Sequence, residues 1–271
     1  MPPLRSADNE SFVLEADKKT RLEAGAVAPS GHVQNELLRA LPVDERMRVI
    51  DAAEYVPLKS RQTLIEANLS VLHAYFPETG IASVLAGTGS RKPMEVCAVG
   101  CRGFVGIPIV LGTGRSPMRV VVQLKGHAWR IPAADFERLL DECVSLRKIL
   151  HAHIQGSLVQ EAMLNVCNAG HTVPERICRW LLMARHRMQS DAIPATHDLI
   201  ARMLGVRRPG VTAALGNLEK NGIIRLTRGN IHIARPRALD RSACRCAHRI
   251  ETEYERLLEL TSSDEACGNA A

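Results

Sequence analysis

The stretch from Thr196 to Leu215 constrains this chain more than any other. Thr196 is an N-cap residue, whose hydroxyl accepts a bond from an N–H that a helix's first turn leaves unpaired. Ala201 is small where a second helix would cross close by. Gly205, four residues on, supplies a left-handed turn that residues with a Cβ resist. Pro209 suits the first turn of a following helix, where its missing N–H breaks no bond. Val206 and Val211 would pack beneath the turn, and Leu215 and Leu218 continue the buried face. Two short helices around a tight glycine turn have the anatomy of a helix-turn-helix.

That geometry turns the start of the second helix outward. Arg207, Arg208, Pro209, Gly210, Thr212 and Ala213 would face a major groove. Arg207 and Arg208 are the candidates for base edges, because arginine pairs bidentately with guanine. Thr196 and His197 sit at the first helix's N-terminus, where N–H groups and the helix dipole favour phosphate. After Gly222, two β-like runs, Ile223–Leu226 and Ile231–Ala234, flank the tight turn Thr227–Asn230. They read as a wing with Arg228 at its tip.

Charge agrees. Residues 176–241 hold 13 basic groups, 12 of them arginine, and four acidic ones, a local net of +9 against +6 for the whole chain. A basic patch is the electrostatic footprint of nucleic-acid binding. Aromatics are only 3%, and single strands are held by stacking on exposed rings. Trp180 belongs to the apolar row Ile177, Trp180, Leu181, Ala184 and Met188, so double-stranded DNA is the expected partner.

Upstream the texture differs. Between Tyr55 and Pro132, short apolar runs alternate with Gly and Pro: Ala74–Pro77, Ile81–Leu85, Glu95–Val99, Val105–Leu111, Val120–Leu124 and Trp129–Ile131. Closely spaced short strands predict an antiparallel sandwich or barrel. From Ala133 the pattern turns helical. Leu139, Cys143, Leu146, Leu150, His153 and Ser157, spaced 4,3,4,3,4, resemble a coiled-coil stripe. A helix lying on its own domain would give this pattern, but the favoured reading is a seam against a second copy of the chain, with His153 in the interface. Helix end at Asn168–Gly170 and a capping box at Thr172–Glu175 would follow.

Residues 1–30 are polar and without sustained period, and read as a loose arm. Four further segments follow: a β-domain at 31–134, a dimerisation helix at 135–168, a winged helix-turn-helix at 169–260 and a flexible tail at 261–271. No charge-free run approaches the ~20 apolar residues of a membrane span, and no secretory signal is seen. Eight scattered cysteines then suit a reducing cytoplasm rather than a disulfide framework. Only Cys97/Cys101 and Cys244/Cys246 are closely spaced. They lie about 140 residues apart in sequence, so neither metal nor other cofactor is expected. There is no His-Glu-x-x-His, phosphate-binding loop or nucleophile elbow. His151 and His153 point apart on a helix. The chain does not read as an enzyme.

The order of β-rich domain, long helix and winged helix-turn-helix resembles the Crp/Fnr family of bacterial transcription regulators, over about residues 35–260. The resemblance rests on Ala74–Ile81, Val99–Gly106 and Leu204–Thr212. It implies an α+β chain: a cyclic-nucleotide-binding-like antiparallel β-roll serving as a signal-sensing or a vestigial domain, a dimerising helix, and a C-terminal domain reading a DNA operator, with RNA polymerase as a further partner. Family members that bind cyclic AMP carry a Glu for the ribose and an Arg-Ser for the phosphate. Here Arg115 and Ser116 stand at the Arg-Ser, and are weak ligand candidates. Ile107 stands where the Glu belongs, and the stretch between is shorter by about two residues. Cyclic AMP is therefore not expected. The family's N-terminal iron–sulfur cysteines are absent, since the first cysteine is Cys97. Pro209 and Ala213 replace residues that relatives use to read bases, so their operators do not transfer. The alternative is a thiol-redox or metal-responsive regulator acting through Cys97/Cys101 or Cys244/Cys246.

Overall fold

The computed structural model describes residues 33–87 and 93–268, with side chains through 259. The expected arm at 1–30 lies outside the described residues. Asn35 opens α1 (Glu36–Arg39) by accepting the Leu37 and Leu38 N–H groups at 3.1 and 3.2 Å. Pro42 then begins α2 (Val43–Asp51).

Among the described residues, seven strands follow. β1 (Glu54–Leu58), β7 (Gly126–Pro132) and β3 (His73–Pro77) form one antiparallel sheet in the order β1-β7-β3. β2 (Thr63–Ile65), β6 (Arg119–Leu124), β4 (Ile81–Ala86) and β5 (Met94–Val99) form a second, in the order β2-β6-β4-β5. Alternating apolar residues from both, including Leu58, Phe76, Val120, Val122 and Ile131, share one buried cluster with Leu38 and Phe136. Gly80 makes the β3–β4 turn at φ +83°. A Cβ there would lie 2.6 Å from the Leu124 carbonyl oxygen.

Val105–Leu111 is not a strand. Only Val105 pairs, exchanging two 2.8 Å bonds with Tyr75. Gly106, at φ +138°, and Pro108 then divert the chain into the short helix α3 (Ile107–Val110).

The helical region after Pro132 is broken in two. Cys143 is extended, at φ −111° and ψ 98°, between α4 (Ala133–Glu142) and α5 (Val144–Gly170). The Glu45 carboxylate caps α5, accepting the Ser145 and Leu146 N–H groups at 3.1 and 2.8 Å. The 4,3,4,3,4 seam does not face outward. Leu139, Cys143, Leu146, Leu150, His153 and Ser157 are all buried within the protomer. His153 packs edge-on to Phe104 with ring centroids 5.3 Å apart, and lies 5.6 Å from Tyr254. It is a core residue, not an interface residue.

Past the capping box, where Glu175 accepts the Thr172 N–H at 2.8 Å, α6 (Val173–Met188) leads into the C-terminal domain. Its elements are β8 (Ala192–Ile193), α7 (His197–Leu204), α8 (Arg208–Lys220), β9 (Ile224–Thr227), β10 (Asn230–Ile233), α9 (Pro236–Ser242) and α10 (Cys246–Gly268). The segment after α6 thus contributes a third strand to the wing, in the order β8-β10-β9. Residues 261–268 of the expected tail continue α10 in their backbone. Ile250, Tyr254 and Leu257 bury one face of α10. Tyr254 lies against Gly156 of α5, where a Cβ would stand 2.6 Å from its ring. Among the described residues, no helix is long and apolar enough to cross a membrane.

Candidate nucleic-acid interface

The helix-turn-helix is built by local chemistry. Thr196 Oγ1 accepts the Leu199 N–H at 3.2 Å and starts α7. Gly205 ends it in the left-handed region, at φ 62° and ψ 34°, and the Val206 N–H returns to the Ala201 carbonyl at 3.0 Å. Arg207 is the extended N-cap of α8, and Pro209 lies in its first turn. Val211, Ala214, Leu215 and Leu218 are buried below, while Val206 is half-buried.

Burying that row leaves the opposite face open. Arg207, Arg208, Pro209, Gly210, Thr212 and Ala213 are all exposed on the first turns of α8. Two contacts tie them to α7. His197 Nδ1 and Thr212 Oγ1 are 3.0 Å apart, and Arg208 Nε lies 3.7 Å from the Asp198 carboxylate. The wing stands beside them: Gly229, at φ +78°, turns β9 into β10, with exposed Arg228 at the tip. Thr196, His197, Arg208, Thr227 and Gly229 line one open groove of about 420 Å³. The structure thus brings Thr196, His197 and Arg208 together along that groove, with Thr212 held against His197. Arg207, Pro209 and Gly210 are exposed at the start of α8 and Arg228 at the wing turn.

Not every basic residue of 176–241 contributes to that surface. Arg176, Arg179 and Arg187 are buried. Arg176 donates to the Leu204 carbonyl, and Arg187 to the Ala98 carbonyl at 3.0 Å and to Gln160. They hold the domain together and to the roll. The outward charge rests on Arg202, Arg207, Arg208, Lys220, Arg225 and Arg228 and on the exposed arginines after the wing.

The domain docks by its back. Ile81 and Leu124 of the roll share a buried cluster with Trp180, Leu181 and Met203. Residues 175–242 match the Crp-like helix-turn-helix domain. Among curated proteins, none matches the chain by sequence. Among solved structures, FixK2 from Bradyrhizobium japonicum is similar over 71% of this chain and 98% of its own, at TM-score 0.60 and 16% identity. The c-di-GMP-responsive global regulator CLP of Xanthomonas campestris is similar over 71% and 99%, at 0.57 and 13%. A CRP/FNR-family transcriptional regulator from Thermus thermophilus is similar over 70% and 98%, at 0.56 and 22%. The chain has the Crp/Fnr regulator fold.

In the Crp/Fnr frame, the roll's cavity lies between α3, the β-sheet and α5. It measures about 210 Å³. Ile65, Val84, Val99, Phe104 and Ile107 make most of its wall apolar, and Arg115, Ser116, Ser157 and Glu161 supply polar groups. Ile107 therefore stands at the cavity, as the sequence places it, and is half-buried. Arg115 is exposed at the rim. Ser116 Oγ is turned inward on its own loop, accepting the Met118 N–H at 3.1 Å. Burial raises the Glu161 carboxyl above the ordinary carboxylate range.

The cysteine pairs separate. Cys97 is buried under a Gln160 contact and Cys101 beside the His186 carbonyl. Burial, as the largest cause, pushes Cys97 up to about 12 and Cys101 up to about 11. Neither supplies the thiolate that reactivity requires near neutral pH. Cys244 and Cys246 instead meet Cys167 and His171. Sequence reading missed that pair, although Cys-x-x-x-His at helical spacing was its available signal.

Proposed function

We propose that this chain is a sequence-specific, double-stranded-DNA-binding transcriptional regulator of the Crp/Fnr type, acting as a cytoplasmic homodimer and catalysing no reaction. The observation that carries this reading is the exposed first turn of α8, where Arg207, Arg208 and Thr212 project beside the α7 N-terminus and the Arg228 wing. Arg207 and Arg208 read base edges, Thr196, His197 and Arg228 hold phosphates, and α8 enters the major groove. RNA polymerase as a partner follows from the resemblance.

The dimer uses the other face of α5. His151, Gln155, Leu158, Ala162, Asn165 and Asn168 form its exposed side, with Leu158 58% and Val166 56% exposed. α5 has 27 residues, so it spans about 40 Å at ~1.5 Å per residue, ample for a second copy. Twofold symmetry then gives half-sites about 34 Å apart.

The roll senses a signal other than cyclic AMP. The apolar cavity wall supports this, since the Ile107 side chain offers no acceptor to ribose hydroxyls. A ligand there would shift the population of helix arrangements rather than create a new one. Selection of bound sequences from random duplex DNA, with and without cyclic nucleotides, tests the reading. A palindromic motif enriched without cyclic nucleotide supports it. Enrichment only with one overturns the reading of Ile107, and no enrichment in either arm overturns DNA recognition.

A further inference from the structure

The last turn of α5 places Cys167 four residues before His171, its C-cap. Cys244 and Cys246 lie at the junction of α9 and α10. These two chain junctions, distant in sequence, meet in space. Cys167 Sγ and Cys244 Sγ are 3.4 Å apart, and Cys246 Sγ lies 3.7 Å from His171 Nδ1. All four donor atoms fall within 4.8 Å of one another. The three thiols are buried and the imidazole half-buried.

We propose that Cys167, His171, Cys244 and Cys246 bind one zinc-class divalent ion in a tetrahedral Cys3His site. Zinc holds sulfur at ~2.3 Å and nitrogen at ~2.0 Å, which places neighbouring donors on a tetrahedron about 3.5–3.8 Å apart. The observed 3.4 and 3.7 Å contacts each lie within a few tenths of an ångström of that edge. The set is too compact for an iron–sulfur cluster, whose outer ligands sit on different irons. A Cys167–Cys244 disulfide would need an oxidant to take two electrons and would leave Cys246 and His171 with no role.

The charges also fit. On binding, each coordinating thiol releases its proton to solvent and the ion sheds its waters. Three thiolates and one dication leave a net −1. Arg179, buried on α6, directs its Nε–H to Cys167 Sγ at 3.2 Å. A buried guanidinium beside a thiolate site of that charge is a compensated pair, and its hydrogen bond orients the ligand. The ion therefore clamps three segments: the end of α5, the α9–α10 junction and, through Arg179, the first helix of the DNA-reading domain.

Cobalt(II) titration of the full chain, stripped with chelator under reducing conditions, tests this. We expect one equivalent bound, with tetrahedral d–d bands and thiolate-to-cobalt charge transfer, displaced by one equivalent of zinc. Cys246→Ser and His171→Gln should each weaken the metal by more than about 10-fold, with Cys178→Ala as the control outside the site. Elemental analysis of the chain as purified should give one zinc per chain. Absent or octahedral cobalt spectra, a metal-free chain carrying a Cys167–Cys244 disulfide, or unchanged affinity in both ligand variants would overturn the proposal. None of these readouts depends on DNA binding.

Discussion

Met94 of the β-roll lies directly over Gly205, the turn glycine of the helix-turn-helix, so that a Cβ on Gly205 would stand 2.6 Å from Met94 Cε. This contact thus joins the β-roll to the motif that positions α8. Gly205 meets two demands, a positive φ and close cover by a neighbour. Gly205→Ala should destabilise the chain by about 1–2 kcal/mol from the left-handed backbone. Met94→Ala in the same chain should relieve only the contact. A double-mutant cycle in urea measures the two parts. A Gly205→Ala variant as stable as the parent would contradict the turn as described.

His153 makes stability depend on pH. Burial, and then the Arg187 charge, lower it from 6.5 to about 3. Its Nδ1 has no hydrogen-bond partner among the described residues. The unfolded chain therefore takes up a proton between pH 6.5 and 3 that the folded chain refuses. Stability falls as pH drops below 6.5, with a slope of up to ~1.4 kcal/mol per pH unit from this group. His153→Leu should flatten that slope in unfolding titrations. An unchanged slope would place the titration elsewhere.

The two kinds of arginine should separate by their selectivity. Arg208→Ala should cost about 1–3 kcal/mol at one base position and relax specificity there. Arg228→Ala should weaken all sequences about equally and reduce the magnitude of the salt slope by roughly one. Competition binding at several salt concentrations distinguishes them. A uniform loss for Arg208→Ala would make it a phosphate contact.

Leu158→Glu places a charge in the middle of the exposed α5 face, away from the buried seam. It should give monomers by sedimentation and weaken binding to a full palindrome by more than ~10-fold, while half-site affinity changes little. A variant that stays dimeric would put the interface on another surface.

The legible parts of the sequence were those fixed by short-range chemistry. Thr196, Gly205 and Pro209 each meet a backbone requirement within a few residues, so the helix-turn-helix and wing emerge close to their observed places. What covers a helix face is not short-range. The 4,3,4,3,4 spacing of Leu139 to Ser157 suits a partner helix, but equally suits the chain's own roll, and Phe104 and Tyr254 occupy that side. The sign of a side chain does not fix its direction either, as buried Arg176, Arg179 and Arg187 show. Cys246 and His171, 75 residues apart, become neighbours only once α10 folds back along α5.

The most direct test of the central claim is the DNA motif selected by the Arg207→Ala/Arg208→Ala double variant, compared with that of the parent chain. If the start of α8 reads the operator, the parent should enrich a twofold motif and the variant should lose it while keeping salt-sensitive, non-specific binding. The same motif enriched by both proteins would contradict the claim, and sequence recognition would have to be sought outside α8.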